Sequence, residues 1–179
     1  GYALSFDGLD DFVEVAANPC LGLSGDLTAI VTVRTGSNAK QRGQGTLRLL
    51  LGQGGEYWDA RSAFGIYIHE GAHRVSASAR WGTSATQDHN EVCNLGAALH
   101  GQDWMEFTFV KRGTRLEFYN DSLLVAECQA PNAALVPSTL PLRLGGIPSR
   151  FFEGAIRRVR LYDRALEVSV PMVRDFMDQ

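Results

Sequence analysis

The chain has 179 residues, a formal net charge of −3 and a pI near 5.8. That length suits one domain, residues 1–179, and buries enough apolar surface to fold without staples. The charge leaves no electrostatic case for nucleic acid, and no apolar run approaches the roughly 18 residues of a membrane span.

Taken in order, Leu4 and Phe6 alternate with Ala3 and Ser5, the pattern of a half-buried strand. Asp7-Gly8 marks a turn, Phe12 to Val15 begins a second strand, and Asn18-Pro19 ends it. Leu27, Ala29, Val31 and Val33 share one face of a strand reaching Arg34. Thr35 to Gly45 is a polar, glycine-rich loop, Thr46 to Leu51 is strand-like, and Gly52 to Ser62 is a second long loop.

Ala63 to His69 and Arg74 to Trp81 read as a hairpin turning at Glu70-Gly71. Phe64, Ile66, Ile68, Val75, Ala77 and Ala79 then face inward, so Tyr67, His69, Arg74, Ser76, Ser78 and Arg80 face outward together. Gly82 to Asn90 is a third loop, and Val92 to Leu95 a short strand. Trp104 to Val110 and Thr114 to Tyr119 are strands joined at Arg112-Gly113. Leu123 to Cys128 follows the turn Asn120-Asp121-Ser122, which also spells a glycosylation sequon. Leu142 to Leu144, a loop at Pro148 and Ser149, and a long strand from Phe152 to Tyr162 close the sheet-forming part. Val170, Val173, Phe176 and Met177 have helical spacing, which predicts a short helix over Glu167–Met177 with Pro171 in its first turn.

Many short strands with regular turn signals and one terminal helix predict an all-β sandwich or jelly roll. The three cysteines, Cys20, Cys93 and Cys128, contain no C-x-x-C pair. Cys93–Cys128 is the favoured bridge because both lie in predicted strands; three buried thiols is the other reading. No signal peptide is recognised, and a chain opening directly on a strand suits a module of a larger protein.

ALSFDGLDDFVEV at residues 3–15 resembles the opening of laminin G-like domains of the concanavalin A-like lectin/glucanase superfamily. Leu27 to Arg34 is similar to the family's third strand, with Thr32 where tryptophan is common. WMEFTFVKRGTRLEFYNDSLLV, from Trp104 to Val125, resembles W-x-x-V-x-V … G-x-x-L-x-L-Y-x-D-G-x-L-V, with Ser122 at the usual turn glycine. LRLGG and F-x-G-x-I-x-x-V-R-L-Y-x-R-A-L complete an ordered match over most of the chain. The resemblance implies a two-sheet antiparallel jelly roll with adjacent first and last strands. It implies an extracellular or cell-surface module that binds glycans or protein partners, often with a structural calcium ion.

Calcium needs several oxygen ligands, and Asp7, Asp10 and Asp11 supply carboxylates at the opening motif. Relatives that bind calcium there add an aspartate in G-x-I-D; this chain has Arg157 at that place. Arginine is a permanent cation, so the expectation is either that Arg157 pairs with Asp7 or Asp11 and replaces the ion, or that it reaches solvent. Two cofactor readings follow: none, or a structural calcium ion.

Sugar recognition needs an aromatic platform beside planar polar groups. Tyr67, His69, Arg74, Arg80, Trp81, Trp58, Asp88 and Asn90 are the expected ligand-binding residues, for a glycan or a protein surface. The paired E-x-D-x-x-E carboxylates of the superfamily's retaining glucanases are missing, and Glu106 and Glu117 read as solvated strand positions. The expectation is a non-catalytic binding module.

Overall fold

The computed structural model describes residues 1–36, 47–53, 63–69, 74–80, 90–95, 103–130, 135, 138–148 and 150–169, with backbone alone for 74–80 and 90–95. Its strands are β1 (Leu4–Asp7), β2 (Val13–Val15), β3 (Leu27–Thr35), β4 (Leu47–Gln53), β5 (Phe64–His69), β6 (Arg74–Arg80) and β7 (Asn90–Leu95). They continue as β8 (Met105–Arg112), β9 (Arg115–Asn120), β10 (Leu123–Gln129), β11 (Leu142–Leu144), β12 (Gly146–Ile147), β13 (Arg150–Phe151) and β14 (Glu153–Tyr162). One six-stranded sheet has the order β1-β14-β3-β8-β9-β10, and a second has β2-β11-β4-β5-β6-β7. All the pairings are antiparallel, as the jelly-roll expectation requires.

Alternation along the strands decides which face is buried. Leu27, Ala29, Val31 and Val33 of β3 are fully enclosed, and Phe107 and Phe109 of β8 lie beside them. Phe64, Ile66 and Ile68 of β5 complete the same core from the facing sheet. The rings of Phe107 and Phe118 stack at 5.8 Å. Burying each such side chain contributes about 1.5–3 kcal/mol before the loss of chain entropy is counted.

The ends of the described chain meet in the first sheet, where Leu4 faces Ile156 and Phe6 faces Gly154. Phe6 is buried, and its ring lies 6.1 Å from that of Phe152. Gly145, at φ 76, sits between β11 and β12; its N–H donates to the Leu50 carbonyl and its carbonyl accepts from the Phe152 N–H. The Pro148 region, expected as a loop, carries the small ribbon β12–β13. Two-residue strands are too short for alternation to reveal.

A bulge between Ile156 and Arg158 interrupts the pairing of β14 with β3. The extra residue resets the alternation, so Ile156, Val159 and Leu161 all pack toward the core. Beyond Tyr162 the chain crosses the outer face of the first sheet. Thr28 Oγ1 donates to the Arg164 carbonyl at 2.9 Å and accepts from the Leu166 N–H at 2.9 Å. Arg112 donates to the Leu166 carbonyl and pairs with Glu167 at 3.0 Å. Residues 167–169 carry no helical turn, and the rest of the helix predicted over Glu167–Met177 lies outside the described residues.

One buried charge closes the end of the core. The Lys111 side chain is wholly enclosed, donates to the Gly113 carbonyl at 3.1 Å and lies 3.6 Å from Asp26 Oδ1. Burial pushes its pKa below the ordinary lysine value, and Asp26 opposes that shift.

Candidate functional site

The turn after β1 gathers the three acidic side chains of the opening motif. Asp7 Oδ1 accepts from the Leu9 N–H at 2.7 Å, and Asp11 Oδ2 accepts from the Asp7 N–H at 3.0 Å, with Gly8 at φ 76 allowing the bend. Carboxylate oxygens of Asp7, Asp10 and Asp11 lie within 4.8 Å of one another, and all three residues are exposed. Hard oxygen donors of this kind fit calcium in type. Calcium takes about six to eight oxygens, so carbonyls and water would have to supply the remainder.

Arg157 is not part of that cluster. It is exposed at the β14 bulge, and its guanidinium carbon lies over the Trp104 ring, 4.7 Å from the centroid. Of the two expectations for Arg157, pairing with Asp7 or Asp11 and reaching solvent, its exposure agrees with the second, and the bulge resets the alternation of β14 around it.

The residue on which Arg157 rests was not anticipated as a site. Trp104 immediately precedes β8 and is half-buried; Arg34 of β3 lies over the same ring at 5.1 Å. Two guanidinium groups therefore share one indole on the outer side of the first sheet, held by cation–π attraction. Among the described residues neither arginine makes an ion pair. Next to them Glu106 accepts from Thr32 Oγ1 at 3.0 Å and stands 3.8 Å from Arg158. The signal in the sequence was a tryptophan beginning a strand whose alternate residues, Glu106 and Thr108, are polar.

The expected platform on the second sheet is only partly described. Tyr67 does lie on the face opposite Ile66 and Ile68, yet it is buried, at 3% exposure, in a small cluster with Leu49 and Ile147. Its ring leans across Gly65, close to where a Cβ on that residue would sit. A solvent-facing Tyr67 is therefore corrected: Ile147 of β12 helps cover it, a contact from a distant part of the chain. His69 is half-buried at the end of β5, opposite Arg74, and Arg80 stands opposite Asn90 in the register. The side chains of Arg74, Arg80 and Asn90, together with Trp58, Trp81 and Asp88, lie outside the described residues.

Several of the described carboxylates are engaged in ion pairs. Glu117, expected as solvated, is only 4% exposed; it accepts from the Tyr119 hydroxyl at 3.0 Å and pairs with Arg115 at 3.1 Å. Arg115 also bonds Glu127. Burial first, and then the Glu117 carboxylate, raise the Tyr119 pKa. Glu14 pairs with Arg143 directly across β2 and β11 at 2.8 Å. Cys128 is disulfide-bonded and Cys20 is a free, exposed thiol, as the Cys93–Cys128 expectation requires; the Cys93 side chain lies outside the described residues.

The Laminin_G_3 family model, Concanavalin A-like lectin/glucanases superfamily, matches residues 7–169. No curated protein matches the sequence. Among solved structures the chain is similar to the CBM40 module of the Ruminococcus gnavus IT-sialidase, with TM-score 0.64 and 16% identity over 88% of this chain and 92% of that one. That module has also been solved bound to α2,3-sialyllactose. The chain is similar to domains LG4-5 of the mouse laminin α1 chain, with TM-score 0.65 and 18% identity over 93% of this chain and 44% of that one. It is similar as well to the binding domain of Paraclostridial Mosquitocidal Protein 1, with TM-score 0.69 and 10% identity over 90% and 40%. Identities this low carry the fold and not the ligand.

Proposed function

The chain belongs to the laminin G-like family of the concanavalin A-like lectin/glucanases superfamily, and from that premise we propose a non-catalytic module that binds a glycan or cell-surface polymer through the outer face and loops of the sandwich. The observation that carries this reading is Trp104 with the guanidinium groups of Arg34 and Arg157 over it. A sugar ring offers an apolar face for an indole and hydroxyls or carboxylates for planar donors, and this cluster holds both partners ready on an outward surface. Two cations on one ring, neither ion-paired among the described residues, repel each other, so a ligand oxygen between them gains from both.

His69, Arg74, Arg80, Trp81, Trp58, Asp88 and Asn90 remain the proposed contribution of the second sheet. Tyr67 supports that face from beneath. Asp7 and Asp11, with Asp10, are the proposed ligands should a structural calcium ion be held. The bonded Cys128 suits an oxidising, extracellular or cell-surface setting. A structural or adhesive module binding protein is the second reading, favoured by the exposed Tyr2, Leu4, Leu9 and Phe12 at the N-terminal edge.

A glycan array probed with and without chelator tests the proposal. Binding that Trp104→Ala abolishes is the expected result. No binding in either condition, joined to stable protein capture, overturns it. Loss of binding on chelation alone assigns the acidic turn a role in the site.

A further inference from the structure

We propose that the glycan recognised at Trp104 is an acidic one, and that Arg34 and Arg157 together bind a carboxylate or sulfate that it carries. This rests on the glycan-binding reading and deepens it. Arg34 lies on β3, which has β14 on one side and β8 on the other, so the cluster stands on the interior of the sheet face and not at an edge. Met105, the first residue of β8, faces Val33, so Trp104 and Arg34 come next on their neighbouring strands. On the other side Ala155 faces Arg34, and the bulge between Ile156 and Arg158 leaves Arg157 as the extra residue. A bulge re-aims the side chain it carries. Here Ile156 is buried while Arg157 is exposed, and its guanidinium reaches the indole that Arg34 also covers.

Folding alone gives little reason to bring two cations to one ring. Their guanidinium carbons lie 5.1 and 4.7 Å from its centroid, near enough for the charges to oppose each other. A purely structural cluster would set a carboxylate between them. The carboxylate next along this face, Glu106, is turned elsewhere: it accepts from Thr32 Oγ1 at 3.0 Å and stands 3.8 Å from Arg158. Among the described residues the Arg34 and Arg157 side chains make neither an ion pair nor a hydrogen bond.

Charge selects the ligand. A guanidinium carries five N–H donors and no acceptor, in a planar fork that fits two oxygens of one oxyanion. Stacking on the indole holds both planes in place, so part of the entropy of ordering two long side chains is lost before the ligand arrives. With both groups over it the ring offers a sugar less open surface, and what the cluster presents first is positive charge. A neutral sugar gives these donors only hydroxyls. A carboxylate or sulfate gives them charge-assisted bonds, which are shorter and roughly twice as strong. The chain as a whole has a net charge of −3, so this preference comes from the local pair and not from long-range attraction of anions.

A glycan array that prints neutral cores beside their sialylated and their sulfated forms tests this, followed by calorimetric titration of the tightest binder into the whole chain and its variants. An acidic form is expected to bind at least about tenfold more tightly than its neutral core. The sialylated and sulfated arms separate carboxylate from sulfate. Arg34→Gln and Arg157→Gln should each weaken the acidic form about tenfold. Arg34→Lys keeps the charge but loses the fork, and should lose nearly as much. Arg164→Gln, which removes an exposed cation lying over Tyr162 instead, should change affinity less than about twofold. Arg34, Arg157 and Arg164 are all exposed, so melting curves of these variants should match the parent and any loss of affinity reports on the site. Neutral cores that bind as well as their acidic forms would overturn the proposal and leave the glycan-binding reading standing. An equal loss on Arg164→Gln would reduce the preference to diffuse charge attraction, with the same result. Absence of binding to every printed glycan would remove the reading and the proposal together.

Discussion

The ring of Phe6 occupies the place where a side chain on residue 145 would begin. Gly145 has φ 76, and a Cβ built there meets the Phe6 ring well inside contact distance. Gly145→Ala therefore forces β1 away from its pocket as well as straining the backbone. The expected loss exceeds about 3 kcal/mol. Gly113→Ala is the control: Gly113 has φ 54 but open space around it, so its cost is about 1 kcal/mol. Urea unfolding of both variants measures the difference.

Ser122 sits at φ 70 in the turn between β9 and β10, a conformation that glycine adopts more readily. Its neighbour Asp121, at φ 47, is partly compensated, because Asp121 Oδ1 accepts from the Glu106 N–H at 2.9 Å. Ser122→Gly is expected to raise stability by about 0.5–1 kcal/mol. A thermal melt that moves downward would refute this account of the turn.

Lys111 carries its charge at the expense of stability. Its folded-state pKa is lowered, so the unfolded chain binds the proton more tightly, and stability contributed by this residue rises as pH approaches 10.5 from below. Lys111→Met keeps the volume and removes the charge. Asp26 Oδ1 still accepts from the Gly113 N–H at 2.7 Å. The variant should be as stable as the parent or up to about 2 kcal/mol more stable at neutral pH, with the gap shrinking toward pH 10. Paired melts across that range test the sign.

Trp104→Ala removes the ring beneath Arg34 and Arg157. Stability should fall by about 1–2 kcal/mol, because the ring is half-buried and carries two cation–π contacts. Affinity for an array-identified glycan should fall at least about tenfold. Trp104→Phe should recover part of the affinity. Calorimetric titration beside a melting curve separates the two effects.

Non-reducing peptide mapping is expected to recover a Cys93–Cys128 bridge and an unmodified Cys20. A bridge closing that loop stabilises by about 4 kcal/mol in the chain-entropy picture. Cys20→Ser should change neither the map nor the unfolding midpoint, and reduction should lower the latter.

The meeting of the chain's two ends was legible because both carry strong alternation, and the glycines of G-G and F-x-G stand where only glycine fits beside Phe6 and Phe152. The position of Arg157 was not legible. A single bulge residue leaves no mark in an alternating pattern, and here it accompanies the seating of the exposed arginine over Trp104. Tyr67 illustrates a different limit. Its face was read correctly from parity, but its cover comes partly from Ile147, and no local pattern encodes a contact at that separation. Glu117 likewise became buried through Arg115 and Tyr119, which share its strand and face; alternation identifies such neighbours but not the depth at which they sit.

The antiparallel pairing of β1 with β14 also has a mechanical consequence. Leu4 begins β1 opposite Ile156, and β14 runs on from Ile156 to Tyr162, so both strands leave their shared stretch in one direction. Tension applied at Leu4 and at Tyr162 would peel the two apart from the Leu4 end, loading their hydrogen bonds one after another. A pull along the strand axis in opposite senses would instead load them together. Stretched between two surfaces, the sandwich would open at this seam under modest force.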